Sequence, residues 1–416
     1  MSATSVCITA FEHQTLSIGR TPGLLVSHLE ALDELQQRQQ AAWFTRVHRG
    51  IKLSQFVGLL QVPGLTLEIL PKTDRTTSAG APLFWRKVLL QLLRVVHDLP
   101  LSIPDVAQLA QTPRAMLDLF VAALLQEVNA LLRQGLARHY HPTEANRPAL
   151  RGQLLFSQQI QHNLIRRDRF FTRQQNYDAV HPLNCLLRMA LEVAARQVQS
   201  PALAAQTRTA LLHWPELPRV PVPAMLPPLT RQTERYRRAA ELALMLLREY
   251  SPDLAAGPTE GLSLLLDMNT LFERYVARVL QRAGVAQGVH VQAQAVKSLW
   301  GRSSLKPDLV VTLPSPSGNR VFVLDTKWKV PGASPEPDDI RQLYAYCHIW
   351  QAQHGLLLYP HSSHGPAPRS HTFVASGFMP HTAIFGHSYF AELLNSKGQL
   401  NTRLGHDLLQ ALTKLN

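Results

Sequence analysis

Along the 416-residue chain the spacing of apolar and polar positions changes period several times, and each change predicts a different kind of element. Up to about residue 75 the runs are short and alternating: SVCITAFEH, QTLSIG, then FVGLLQVPGLTLEILPK with a turn at Pro63-Gly64. That is the pattern of strands joined by tight turns, and it predicts a small β-rich module over residues 1–80. The polar run TDRTTSAGAP (73–82) has no periodicity and reads as a linker. From there apolar residues recur at three and four, in LFWRKVLLQLLRVVH (83–97) and in RAMLDLFVAALLQEVNALLRQGLARHY (114–140), whose helix should end near Gly135. A mainly helical middle domain over 81–260 follows from this. Within it LRGQLLFSQQIQHNL (150–164) suggests a strand or two, while NCLLRMALEVAARQVQ (184–199) and ERYRRAAELALMLLREY (234–250) suggest helices. HWPELPRVPVPAMLPPL (213–229) carries six prolines and can only be an extended connector. SPDLAAGPTEG (251–261) reads as a loop.

The last segment, 261–416, mixes the two periods. LSLLLDMNTLFERYVARVLQRAG (262–284) predicts one amphipathic helix closed by glycine, and VHVQAQAVKSLW (289–300) one strand. KPDLVVTL, the loop PSPSGN and RVFVLDTKWK form two β runs with a turn between them, an antiparallel hairpin. PEPDDIRQLYAYCHIWQAQ (335–353) opens with prolines and acids and settles into helix, and GLLLYP (355–360) is a short buried strand. The order helix, strand, strand, strand, helix, strand predicts an α/β core with helices on a mixed sheet, inside a multi-domain chain that is α+β overall.

VFVLDTKWKV (321–330) is the most informative stretch. Strand side chains alternate, so Val321, Val323, Asp325, Lys327 and Lys329 share one face and a carboxylate lies beside an ammonium. One reading is a strand running out of the core into water. The other depends on hairpin register: if Leu313 faces Arg320, the pairing carries down to Asp308 opposite Asp325. Cross-strand Cβ atoms lie about 5 Å apart, close enough for both carboxylates to hold one divalent cation. Without a cation, two such acids repel and one must take up a proton more readily.

Bulk composition narrows the function. Hydrophobic content of 45% with 17% charged residues describes a folded chain, and no apolar run is expected to reach the roughly 20 residues of a membrane span. MSATSVCITAFEH lacks the basic and apolar regions of a secretory signal, so the expected location is cytoplasmic. Cys7, Cys185 and Cys347 are too scattered for a disulfide framework or a zinc site, and His139, His141 and His181 lack metal-ligand spacing. No GxxxxGK[ST] motif occurs, so nucleotide binding in a P-loop is not expected. The formal charge of +13 favours polyanions, nucleic acid first. Arg166, Arg167 and Arg169 in NLIRRDRFFTRQQ, and Arg235, Arg237 and Arg238 in TRQTERYRRAAE, are interleaved with Phe170, Phe171 and Tyr236. They are candidate DNA contacts, or else solvated helix faces.

Pro307-Asp308, the hydrophobic hairpin and Asp325-Thr326-Lys327 together resemble the PD-(D/E)xK nuclease superfamily. Gln342 and Tyr346, four apart on the next helix, look like its RecB-type branch. The resemblance extends to one family: VGLLQVPGLTLEILPK, LLRQGLARHY followed by LRGQLLFSQQI, NCLLRMAL, LFERYV, KPDLVVTL, LDTKWK and GLLLYP recur in this order in the McrC family, nuclease subunits of modified-cytosine restriction systems. It covers most of the chain and thins in the proline connector and the last forty or so residues. The resemblance implies a Mg²⁺-dependent DNA endonuclease, with Mn²⁺ as a substitute, that docks on a hexameric AAA+ GTPase, stimulates its hydrolysis and cleaves double-stranded DNA. The N-terminal module would then be the docking part. Asp308 and Asp325 would be metal ligands, with the Thr326 backbone carbonyl as a third. Lys327 would orient or deprotonate the attacking water, its alternative being a surface lysine. Glu273 reads as an additional acidic ligand or as a helix-surface acid; Gln342 and Tyr346 as positioning groups or, for Tyr346, as packing. Asp267 and Asp339 are weaker candidates, a helix-surface residue and a first-turn acid. Two other function classes stay open: a catalytically silent adapter that only activates the AAA+ partner, and a stand-alone DNA-repair nuclease.

Overall fold

The computed structural model describes the chain except for residues 1–5, 73–80, 100, 102–106, 113–114, 199, 250–261, 317, 330–333, 362–368, 374–383, 396–398 and 416. Of the linker expected over 73–82, residues 73–80 fall outside the described residues while Ala81 and Pro82 already belong to a helix, and the whole of the loop 251–261 falls outside them. The chain divides into two compact units, one made of Met1–Met116 with Asp253–Asn416 and the other of Leu117–Pro252.

In the first unit strands β1 (Val6–Phe11), β2 (Thr15–Ser17), β3 (Phe44–Val47), β4 (Gly50–Leu53), β5 (Phe56–Val62) and β6 (Leu65–Leu70) form the predicted β module. Pro63-Gly64 closes β5 onto β6 with Val62 opposite Leu65, and Gly64 takes the φ of +78° that a side chain would resist. β6 is buried along its whole length, because the sheet is covered rather than half solvated. Leu29, Leu32 and Leu35 of the helix Val26–Arg38, which the β pattern did not predict, enter its core. The helix Ala81–Val96 supplies Arg86 to Glu68 of β6, Nε to Oε1 at 2.5 Å, and Thr9 donates to the same carboxylate at 2.9 Å.

The second unit is mainly helical, as predicted. It holds most of the helix Ala115–Gln134 with Pro182–Gln197, Pro201–His213 and Arg237–Glu249, beside a three-stranded sheet of β7 (His139–Arg147), β8 (Gln153–Leu154) and β9 (Phe170–Asp178) in the order β7-β9-β8. Residues 150–164 give one of the strand or two expected, the two-residue β8, followed by the helix Phe156–Asn163. Residues 215–229 form neither helix nor strand, as six prolines require. The helix Ala115–Gln134 does have the length and composition of a membrane span, contrary to the expectation for the chain, but 67% of its apolar window is buried within the protein. The His139 ring lies 5.4 Å from that of His141, tilted, and 5.1 Å from that of His181, edge-on, yet among the described residues no three His, Cys, Asp or Glu side chains are placed to hold a metal ion.

The chain then returns to the first unit through β10 (Leu262–Asp267), a strand where one continuous helix is predicted. LSLLLD suits either element, and its edge pairing with β5, from Leu262 opposite Gln61 to Asp267 opposite Phe56, decides for strand. Asp267 is therefore an N-cap and not a helix-surface residue: its carboxylate accepts from Thr270 N at 2.9 Å and starts the helix Met268–Gly284. The sheet of the first 80 residues is finished by a strand from the C-terminal segment.

β11 (His290–Ala293), β12 (Lys297–Trp300), β13 (Ser303–Leu305), β14 (Leu309–Leu313), β15 (Arg320–Thr326), β16 (His354–His361), β17 (Arg369–Thr372) and β18 (Phe385–Glu392) follow. Six of them make a mixed sheet in the order β11-β14-β15-β16-β18-β17, antiparallel at the hairpin and parallel from β15 to β16 to β18. The single strand expected over 289–300 breaks at Gln294, whose φ is +51°, and β12 pairs only with β13. The helix Pro337–Trp350 lies close against β16: a Cβ on Gly355 would sit 2.5 Å from Cys347 Sγ. That contact fixes the helix carrying Gln342 and Tyr346 against the sheet.

Candidate active site

The hairpin register is the expected one, with Leu313 opposite Arg320 and Leu309 opposite Leu324. Asp308, just before β14, thus meets the end of β15. Phe322, Val323 and Leu324 are wholly buried and anchor β15, so Asp325 is carried into the interior with 2% of its surface exposed. The strand does not fray into water there.

Two short hydrogen bonds lock Asp308 in place: Thr326 N and Thr326 Oγ1 both donate to its Oδ2 at 2.6 Å. The Asp308 carbonyl accepts from Gln294 N at 2.8 Å. Across from it Lys327 Nζ lies 2.8 Å from Asp325 Oδ2 and donates to Gln342 Oε1 at 3.1 Å. Gln342 Nε2 donates to Tyr346 Oη at 2.7 Å, and Tyr346 Oη to the Lys306 carbonyl at 3.1 Å. Asp325, Lys327, Gln342 and Tyr346 are therefore one connected network, and Asp308 is fixed next to it through Thr326. Tyr346 is both packed, at 5% exposure, and part of this chain of bonds.

Asp339 belongs to it as well, which the first-turn reading missed. Its Oδ1 lies 3.2 Å from Lys327 Nζ and its Oδ2 2.7 Å from Lys329 Nζ, while Glu336 holds Lys329 from the other side at 2.9 Å. Nothing in the spacing of PEPDD marks this role, because it depends on where the helix start lands beside β15. Trp328 is a second omission. Its Nε1 donates to Glu12 Oε1 at 2.8 Å, and its ring lies 5.3 Å from Phe272, so the segment after β15 is held by the turn that follows β1.

The electrostatics follow from crowding acids in a dry place. Burial, then the Asp308 charge, raises the Asp325 carboxyl to about 6, against the pull of Lys327. Burial and Asp308 also raise Glu273, which is buried on the helix Met268–Gly284 and so is not a helix-surface acid. For Lys327 burial favours the neutral amine, but Asp325 and Asp339 outweigh it and hold the ammonium above its ordinary value. For Asp339 the cost of burial is overcome by Lys329 and Lys327, which lower it. Lys327 as placed is a hydrogen-bond donor and a fixed positive charge.

Hard oxygen donors of this kind suit a small divalent cation. Mg²⁺ typically takes one or two carboxylates and completes its shell with water and substrate oxygens, so the pair Asp308 and Asp325 is a sufficient protein contribution even though no third acid completes a cluster among the described residues. Burial first and the Asp308 charge second raise Asp325, and a cation bound beside both carboxylates would relieve the second.

The arginines singled out from the sequence have other surroundings. Arg235 donates to the Gly135 carbonyl at 2.7 Å, Arg237 pairs with Glu234 at 2.5 Å and Arg238 with Glu127 at 3.5 Å. Tyr236, between them, is fully buried: its hydroxyl donates to Asn184 Oδ1 at 2.8 Å and accepts from Ala137 N at 2.7 Å, so it offers no face to a base. Arg166 and Arg167 are exposed on the turn between the helix Phe156–Asn163 and β9.

Residues 51–360 match the family described as McrBC 5-methylcytosine restriction system component. No curated protein matches the chain. Among solved structures, a chain in a half-complex from a tetradecameric assembly of Thermococcus gammatolerans McrB AAA+ hexamers with bound McrC aligns over 99% of this chain and 100% of its own, with a TM-score of 0.69 and 19% identity. A chain of the cryo-EM structure of the Thermococcus gammatolerans McrBC complex aligns over 67% of this chain and 88% of its own, with a TM-score of 0.48 and 21% identity. At these identities the first establishes a common fold over nearly the whole chain.

Proposed function

The chain belongs to the McrBC 5-methylcytosine restriction system component family, and from that membership and its acid-rich site we propose that it is the Mg²⁺-dependent DNA endonuclease of such a system. The observation that carries this reading is the convergence of Asp308, Asp325 and Lys327 at the end of one hairpin, with Lys327 Nζ 2.8 Å from Asp325. Bound between Asp308 and Asp325, Mg²⁺, or Mn²⁺ in its place, would supply a water of lowered pKa and positive charge opposite the developing phosphorane. The protein's own part is placement. Thr326 clamps Asp308, and the Thr326 carbonyl is the proposed backbone ligand. Lys327, kept protonated by Asp325 and Asp339, faces the phosphate charge and orients the water by hydrogen bonding. Gln342 and Tyr346 fix the lysine from the helix side, and Glu273 stands behind Asp308 as an outer acid.

The solved relative of the same fold comes from an assembly of McrB AAA+ hexamers with bound McrC. A hexameric AAA+ GTPase is accordingly the proposed partner here, with hydrolysis stimulated on docking. The test combines the purified chain, a candidate partner, GTP, Mg²⁺ and methylcytosine-containing plasmid. Wild type should cut the plasmid; Asp308→Ala should not, while stimulating hydrolysis equally. Stimulation without cutting by the wild type would leave an adapter, and efficient cutting without the partner a stand-alone nuclease.

A further inference from the structure

We propose that the hairpin β12–β13 grips duplex DNA beside the scissile phosphate, with Trp300 against the groove and Arg302 on the backbone; this rests on the nuclease reading for its location but not for its test. The hairpin turns at Gly301-Arg302, where Trp300 pairs with Ser303 and Gly301 takes a φ of +54°. The register slips at Leu299, a bulge of the kind that re-aims the next side chain, and Trp300 is left 83% exposed with Leu299 and Val296 also open to solvent. A tryptophan that open is rare unless something covers it. The occupant is indicated by charge. From Gly288 to Pro307 there is no acid, and the cations are Lys297, Arg302 and Lys306.

The hairpin is also fastened to the site from both ends. Lys297 Nζ donates to the Ile349 carbonyl at 3.1 Å and lies 5.1 Å from the centre of the Trp350 ring, on the helix that carries Gln342 and Tyr346. The return strand β13 leads through Lys306, whose carbonyl accepts from Tyr346, directly to Asp308. A duplex whose phosphate reached Asp308 and Asp325 would pass this finger within a few residues. Basic side chains would then contribute counterion release, and the indole a stacking or groove contact.

The test is fluorescence anisotropy of a labelled duplex with the full chain, in EDTA, across a series of salt concentrations. Arg302→Glu should weaken binding at least about tenfold at low salt and flatten the salt slope by about one. Arg302→Lys should restore the slope. Trp300→Ala should weaken binding about five- to tenfold at every salt concentration, leaving the slope unchanged. Wild-type affinity and slope in Arg302→Glu and Trp300→Ala would overturn the proposal. So would intact duplex binding with lost stimulation of the AAA+ partner, which would assign the hairpin to a protein interface. If the wild type never cleaves but these variants still lose duplex binding, the nuclease reading fails and this inference stands.

Discussion

Glu68 and Asp325 are both buried carboxylates on central strands of the first unit, and they solve the same problem in opposite ways. Glu68, 4% exposed, is met by the Arg86 guanidinium on two edges and by Thr9, so its charge is neutralised by a fixed partner of matching geometry. Asp325, 2% exposed, faces Asp308 and shares its lysine with Asp339. The first arrangement is complete and belongs to the architecture. The second carries an excess of negative charge in a dry place, which folding alone does not call for and a divalent cation would balance. The number of buried charges is therefore less informative than whether each finds its counter-charge within the chain.

Substitutions that break either arrangement should show the difference. Lys327→Met should cut turnover in the presence of the partner by about a thousandfold or more, measured by plasmid cleavage, because it removes both the fixed charge and the group proposed to orient the water. Arg86→Met should do the reverse, leaving the cleavage chemistry alone but costing about 3–5 kcal/mol of stability by stranding Glu68. Urea unfolding with an unchanged m-value would check it.

Glu12 tests the comparison from the pH side. Burial raises its carboxyl from 4.5 to about 7, with Trp328 and Lys72 pulling the other way. Its pKa in the folded state exceeds that of the unfolded chain, so the native protein holds the proton more tightly. Stability therefore falls as pH rises from about 4.5 to about 7, by about 3 kcal/mol in all. Glu12→Gln keeps an acceptor for Trp328 and should be flat through that window, so the variant should overtake wild type in melting temperature above pH 7 and lose the advantage near pH 4. The smallest effect is expected at Arg237, whose partner Glu234 is exposed: Arg237→Ala should leave the urea midpoint unchanged within experimental error.

The sequence made the local parts of this site legible and hid the tertiary ones. The hairpin register, and with it the placing of Asp308 beside Asp325, could be read because two alternating runs and a short loop leave few pairings. The strand Leu262–Asp267 could not, because its partner β5 lies some two hundred positions earlier in the chain and its own six residues fit helix or strand equally. Asp339 and Trp328 escaped for a similar reason: an acid at a helix start and a tryptophan after a strand have ordinary local explanations, and their roles depend on Lys327 and Glu12 arriving from elsewhere. The two arginine-rich runs, alike in charge density, differ in the fold: Arg235, Arg237 and Arg238 have partners within their own unit, whereas Arg166 and Arg167 stand exposed on a turn.

Isothermal titration of Mn²⁺ into the full-length protein, wild type against Asp308→Ala and Asp325→Asn, tests the central claim most directly. The predicted result is one saturable site in the wild type that either substitution weakens at least about tenfold, with protons released from Asp325 as the ion binds near pH 6. Identical binding by all three proteins, or none by the wild type, would contradict it.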